Sequence, residues 1–125
     1  MAKILIADDD YASVELMTVV LEAEGHEVLN ASNGHDAYDL TLSEKPDLVF
    51  LDVMMPIFNG LEACQMIRED PQIPKELPVV FLTSTELDSR QIASVGANTI
   101  LPKTHMITEL RDLLVQCLGP KAVTD

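Results

Sequence analysis

The chain has 125 residues, enough for one domain with a single core. Apolar residues make up 47% of it and Trp is absent, which predicts a core of Val, Leu, Ile, Ala and Met and argues against disorder. Eight basic residues against 21 acidic give a formal charge of −13, a surface that repels nucleic acid and anionic lipid and argues against direct DNA binding.

Lys3 to Asp8 is an apolar run of strand length closed by Asp8-Asp9-Asp10. Residues 11–25 then place Val14, Met17, Val20, Leu21 and Glu24 at helical spacing, and Gly25 is set to end that helix. Glu27 to Ala31 reads as a second strand. Asn33-Gly34 reads as a turn, and Ala37, Leu40, Thr41 and Glu44 as a helix over 35–44 that Pro46 stops. Asp47 to Asp52 carries four consecutive apolar residues, the pattern of a central strand covered on both faces. A loop around Pro56, Asn59 and Gly60 leads to a helix over 60–69, which Pro71, Pro74 and Pro78 prevent from continuing. Val79 to Thr83 is the fourth strand, 86–95 a fourth helix ended by Gly96, and Thr99 to Leu101 a short fifth strand. Ile107, Leu110, Leu113, Leu114 and Cys117 mark a last amphipathic helix before Gly119-Pro120, leaving 1–118 as the domain and 119–125 as a C-terminal tail.

Strands alternating with helices predict an α/β fold with a parallel sheet between two helical layers. For five such units the flavodoxin-like order 2-1-3-4-5 is the commonest solution, with its crevice between the ends of strands one and three. Asp8, Asp9 and Asp52 fall in that crevice. On this fold Cys64 and Cys117 lie on opposite faces as reduced, core-filling thiols. His26, His35 and His105 show no ligand spacing and read as surface residues. No apolar run approaches the roughly 20 residues of a membrane span, and Met1-Ala2-Lys3 leads into a strand, so the expectation is a soluble cytoplasmic protein without membrane contact.

Neighbouring strands lie about 4.8 Å apart, which places the strand-end carboxylates roughly 5–8 Å from each other. At an effective dielectric near 20, two such charges about 6 Å apart repel by roughly 3 kcal/mol. A hard divalent cation offsets that, and Mg²⁺, which keeps several waters and takes one or two carboxylates, suits a sparse open site better than Ca²⁺. Lys103, ending a strand on the same edge, offsets further charge. Each residue also has a plainer reading: Asp9 and Asp10 as helix N-caps, Asp52 as turn chemistry, Thr83 as a strand residue, Lys103 as a solvated charge. All of these would have to coincide on one edge by accident. An ionised Asp at a Mg²⁺ site is a competent nucleophile toward phosphorus, and phosphoryl transfer needs chiefly positioning and charge neutralisation. Lys103 supplies charge and the Thr83 hydroxyl can donate to a phosphoryl oxygen. The thioethers of Met54 and Met55 are too soft for Mg²⁺, whereas the Met54 carbonyl is a possible ligand.

Ile4-Leu-Ile-Ala-Asp8-Asp9-Asp10, Leu51-Asp52-Val-Met54-Met55-Pro56 with Gly60, Phe81-Leu-Thr83-Ser84, and Lys103 together resemble, in order and spacing over residues 1–118, the receiver domains of bacterial two-component response regulators. The resemblance implies Mg²⁺-dependent transfer of a phosphoryl group from a sensor histidine kinase or phosphotransfer protein, slow autodephosphorylation, and output to an effector through the fourth helix, fifth strand and last helix. It implies a signalling phosphoacceptor that catalyses only its own phosphorylation and dephosphorylation. Carried over by position, Asp52 is the phosphoacceptor, Asp9 a direct metal ligand and Asp8 a ligand through water. The Met54 carbonyl completes the protein's share, Thr83 follows the phosphoryl group and Lys103 pairs with it.

Three positions depart from the family's usual pattern. Thr104 stands where receivers have Pro after the lysine, which predicts a trans bond or a strained loop, since a cis bond there costs about 3–4 kcal/mol. Ile100 replaces an aromatic switch residue, and Ser84 a smaller residue at the phosphate entrance. Two other classes compete: a pseudo-receiver interaction module, which usually lacks one of the acidic or lysine positions present here, and a flavin carrier or haloacid-dehalogenase-type phosphatase on the same fold. The acidic cluster repels flavin phosphate, and Met54 stands where such a phosphatase has its second Asp.

Overall fold

The computed structural model describes residues 2–83 and 96–123. In chain order these form β1 (Lys3–Ala7), α1 (Tyr11–Ala23), β2 (Glu27–Ala31), α2 (Gly34–Glu44), β3 (Leu48–Asp52), α3 (Gly60–Glu69), β4 (Val79–Thr83), β5 (Thr99–Pro102) and a C-terminal helix (Met106–Leu118). The five strands are parallel and ordered β2-β1-β3-β4-β5, the flavodoxin-like arrangement. The helix expected over 86–95 and the Ser84 position lie outside the described residues.

β1, β3 and β4 are buried almost without exception, and strand periodicity divides their side chains between two cores. Leu5, Ala7, Val49, Leu51, Val79 and Phe81 face one layer, where Ala37 of α2 and Ala63, Cys64 and Ile67 of α3 meet them. Ile4, Ile6, Leu48, Phe50, Val80 and Leu82 face the other, against Met17 and Leu21 of α1 and Met106, Leu110, Leu113 and Leu114 of the C-terminal helix. A fully buried side chain of this size contributes roughly 1.5–3 kcal/mol, so the three central strands anchor the fold. Cys64 packs in the first core and Cys117 against the second, both free. Burial pushes the Cys64 thiol up to about 11, which makes it inert.

The starts of α1, α2 and α3 are each fixed by a side chain in the loop before them. Asp10 caps α1, its carboxylate accepting the Ala12 N–H at 3.1 Å and the Ser13 hydroxyl at 2.9 Å. Asn59 and Glu62 form a reciprocal capping box on α3. Asn33, expected in a turn with Gly34, is instead the N-cap of α2 and accepts the Asp36 N–H at 2.8 Å. Its Asn-Gly pair satisfies a helix end, where a hairpin pair would have used it to reverse the chain.

His26 also departs from expectation. It is 5% exposed, and its Nδ1 accepts the Ala2 N–H at 3.0 Å, so it ties the N-terminus to the start of β2. No described peptide bond is cis, so Lys103–Thr104 is trans, and residues 103–105 form a single 3₁₀ turn leading into the C-terminal helix. Beyond that helix a second 3₁₀ turn covers 120–122, and Val123 packs against the second core.

Candidate functional site

The strand order reverses between β1 and β3, because the chain runs outward from β1 to β2 and returns to β3. The crevice left at the C-terminal edge of the two strands is where open α/β sheets place their ligands. Buried polar side chains collect there: Asp8 directly after β1, Asp52 as the last residue of β3 and Thr83 as the last of β4, at 3%, 5% and 3% exposure. Lys103 follows β5 immediately and turns its side chain back over the edge.

Lys103 is the hub. Its Nζ donates to Asp52 Oδ2 at 3.0 Å, lies 2.9 Å from Asp8 Oδ2 and 4.0 Å from Asp10 Oδ2. Burial alone would lower the pKa of this ammonium, but hydrogen bonds and charge from Asp8 and Asp52 outweigh it and hold the group above its usual value. Asp8 shows the opposite balance. Burial first, then the neighbouring Asp52, raise its carboxyl to about 6, against the Asp10 N–H and Lys103, which lower it. Asp10 is lowered, mainly by the Ser13 hydroxyl.

One ligand oxygen each from Asp8, Asp9 and Asp52 lie within 4.8 Å of one another, closer than strand spacing alone implied. Asp9 is the exposed member, while Asp8 and Asp52 are buried. Asp8 Oδ1 accepts the Asp10 N–H at 2.8 Å, but Oδ2 is fully buried and no well-directed hydrogen bond reaches it even though the Lys103 ammonium is at ion-pair distance. One ammonium facing Asp8, Asp10 and Asp52, with the Asp9 carboxylate close by, leaves the edge short of positive charge. Hard oxygen donors, an under-satisfied buried carboxylate oxygen and residual negative charge fit a small divalent cation.

The loop after Asp52 is held at both ends. Met54 N–H donates to Asp52 Oδ1 at 3.1 Å, and Gly60 N–H to the Val53 carbonyl at 3.1 Å, closing the loop at its base. Gly60 packs so near the chain that a Cβ there would sit 2.2 Å from the Asp52 carbonyl oxygen, so only glycine fits. Ile57 and Phe58 at the far end take left-handed conformations, with φ of 46° and 64°. Such strain costs of order 1–3 kcal/mol per residue and persists only where surrounding contacts enforce it. Beside the acidic cluster a cleft of about 330 Å³, lined by Asp8, Asp9, Tyr11 and Asn30 among others, opens to solvent.

The structure therefore brings together Asp8, Asp9, Asp52 and Lys103. It places Thr83 on the same edge, one residue beyond Leu82, the register partner of Asp52. Met54 lies two residues past Asp52 and is 71% exposed. Sequence reasoning gave Asp10 only a capping role, yet its carboxylate also faces Lys103. A capping-box pattern, Asn59 followed three residues later by Glu62, was readable in the sequence as the signal that fixes where the loop ends.

The family model for the response regulator receiver domain matches residues 4–115. Response regulator MprA of Mycolicibacterium vanbaalenii is 39% identical over 110 residues, which are 86% of this chain and 46% of that protein, so the chain spans about half the length of this relative. The fold superimposes on the BeF3-activated N-terminal receiver domain of Klebsiella pneumoniae RstA with a TM-score of 0.81 and 31% identity, covering 93% of this chain and 97% of the other. The receiver domain of the Pseudomonas aeruginosa sensor histidine kinase PA1611, solved with a magnesium ion in its active site cleft, shares the fold at a TM-score of 0.84 and 22% identity, covering 94% of this chain and 98% of that one. Five parallel strands in this order, the charged edge between β1 and β3 and the match over residues 4–115 show that the chain belongs to the response regulator receiver domain family.

Proposed function

We propose that this domain is a phosphorylation switch acting in the cytoplasm, in which Asp52 accepts a phosphoryl group from a phosphohistidine of a sensor histidine kinase or phosphotransfer protein. The observation that carries the reading is the position of Asp52: buried at the end of β3, 3.0 Å from the Lys103 ammonium and within 4.8 Å of the Asp8 and Asp9 ligand oxygens. A carboxylate oxygen attacks phosphorus, the P–N bond to the donor histidine breaks, and its electron pair leaves on the imidazole nitrogen. The product is an acyl phosphate.

Asp8, Asp9, Asp52 and the Met54 carbonyl would hold Mg²⁺, which supplies charge neutralisation for donor and acceptor. Lys103 offsets the charge that remains, and the Thr83 hydroxyl donates to a phosphoryl oxygen. Beyond its own phosphorylation and slow dephosphorylation the domain turns over no substrate in this reading. Its partners are the phosphodonor at the cleft beside Asp9 and an effector reached through the β5 side.

Mass spectrometry after incubation with acetyl phosphate and Mg²⁺ tests this. Wild type should gain one acid-stable, hydroxylamine-sensitive adduct that Asp52→Asn lacks. An adduct that persists in Asp52→Asn overturns the assignment, and absence of any adduct in wild type leaves the domain an interaction module.

A further inference from the structure

We infer that the first turn of α2 positions the loop that carries Asp52's neighbour Met54, and that Gly34 is the positioning residue; the inference rests on the metal-dependent reading above. α2 begins on the far side of the crevice from Lys103, yet its leading amides do not point to solvent. Gly34 N–H donates to the Phe58 carbonyl at 3.0 Å and His35 N–H to the Ile57 carbonyl at 3.2 Å. The first N–H groups of a helix have no partner within the helix, and here two of them take up carbonyls of the loop between β3 and α3. The His35 ring stacks on the Phe58 ring, with centroids 6.3 Å apart and planes 22° from parallel.

The carbonyls being held belong to the two residues in left-handed conformations, Ile57 and Phe58. A β-branched residue does not take that conformation unaided, so the α2 turn is what keeps the loop in this shape. The fit requires glycine: a Cβ at residue 34 would lie 2.1 Å from the Phe58 carbonyl oxygen and 2.8 Å from its carbonyl carbon, main-chain atoms that cannot swing aside. The loop's other end is fixed by Gly60 N–H on the Val53 carbonyl and by Met54 N–H on Asp52 Oδ1. Only three residues, Met55, Pro56 and Ile57, separate Met54 from Phe58, so a slackened far end reaches the Met54 carbonyl directly. By linkage, a cation that orders the loop must tighten the α2 contacts by the same factor.

The test uses the full chain and inorganic Mg²⁺. Gly34→Ala should lower Mg²⁺ affinity five- to tenfold by calorimetric titration, with its helical circular dichroism retained. In unmodified protein, Mg²⁺ should slow amide exchange at Gly34 and His35 while leaving Thr41, in the middle of α2, unchanged. Should Gly34→Ala fail to fold, the exchange experiment decides alone. Unchanged affinity in a folded Gly34→Ala, or unmoved exchange at both amides when wild type does bind Mg²⁺, overturns the clamp and leaves the phosphoacceptor reading standing. Wild type that takes up no Mg²⁺ overturns the metal reading and the clamp together.

Discussion

The Lys103 ammonium and the Asp52 carboxylate meet at 3.0 Å across 51 positions of sequence, and the same Nζ lies 2.9 Å from Asp8. One cation thus joins the ends of three strands, β1, β3 and β5. Without it two buried carboxylates face each other with nothing between them.

Lys103→Met should therefore destabilise the metal-free fold at pH 7. Removing one partner of a buried pair typically costs 3–5 kcal/mol, but Asp8 can take a proton and relieve part of this, so about 2 kcal/mol is expected. Urea unfolding in the presence of a chelator measures it. A midpoint equal to wild type would show that the pair adds nothing to the apo fold.

The raised pKa of Asp8 sets a pH dependence whose sign follows from linkage. Its carboxyl titrates near 6 in the fold and near 3.8 when unfolded, so the folded state binds the proton more tightly between those values. The stability this group contributes is full below about pH 3.8 and lost as pH rises through about 6, a change of up to about 3 kcal/mol. Asp10 and Asp70 are shifted the other way, so the whole-protein curve mixes both signs. The difference between wild type and Asp8→Asn isolates the effect: in metal-free urea titrations wild type should lose ground to the variant from pH 4 to pH 6.5. Parallel curves would refute it.

Asp9 is exposed and has no part in the Lys103 pair, so its substitution probes the cation with little damage to the fold. Asp9→Ala should weaken Mg²⁺ binding at least tenfold by calorimetry. Relief of like-charge crowding should also raise the metal-free melting temperature of Asp9→Asn above wild type. An unchanged affinity places the metal elsewhere, and a lower melting temperature counts against crowding.

Much of this was legible in the residues, for reasons that can be stated. β3 and β4 are short apolar runs with polar or Pro boundaries, and Gly60 and Pro71 bracket α3, so their limits follow from local chemistry. Asp8, Asp52 and Lys103 were readable as one site because each stands at the end of a strand, and a parallel sheet brings such ends together. Asn33-Gly34 marked the turn before α2, but the dipeptide alone did not show that Asn33 caps the helix and that Gly34 is its first residue. His26 gave no pattern, since a single residue that accepts a main-chain N–H leaves no periodicity. The hold of α2 on the Asp52 loop was hidden for the same reason: it is made by the carbonyls of Ile57 and Phe58, and main-chain groups carry no sequence signature.

A phosphoryl group on Asp52 would be felt at a distance through Thr83 and Lys103. Thr83 pairs in register with Pro102, and Lys103 follows directly, so a pull on either residue is transmitted to the end of β5 and the 3₁₀ turn behind it. Phosphorylation of Asp52 would add charge and acceptor oxygens between them. Ile100 pairs with Phe81 and is only partly buried against the first core, and with no aromatic ring to swing inward its displacement should be small. Amide chemical shifts recorded with and without beryllofluoride should change most at Thr83 and across 99–106, with smaller changes in the C-terminal helix. Ile100→Tyr should enlarge those changes by restoring a ring at that position. Perturbations confined to α1 and α2, with Thr83 and 99–106 silent, would show that the signal leaves the site by another route.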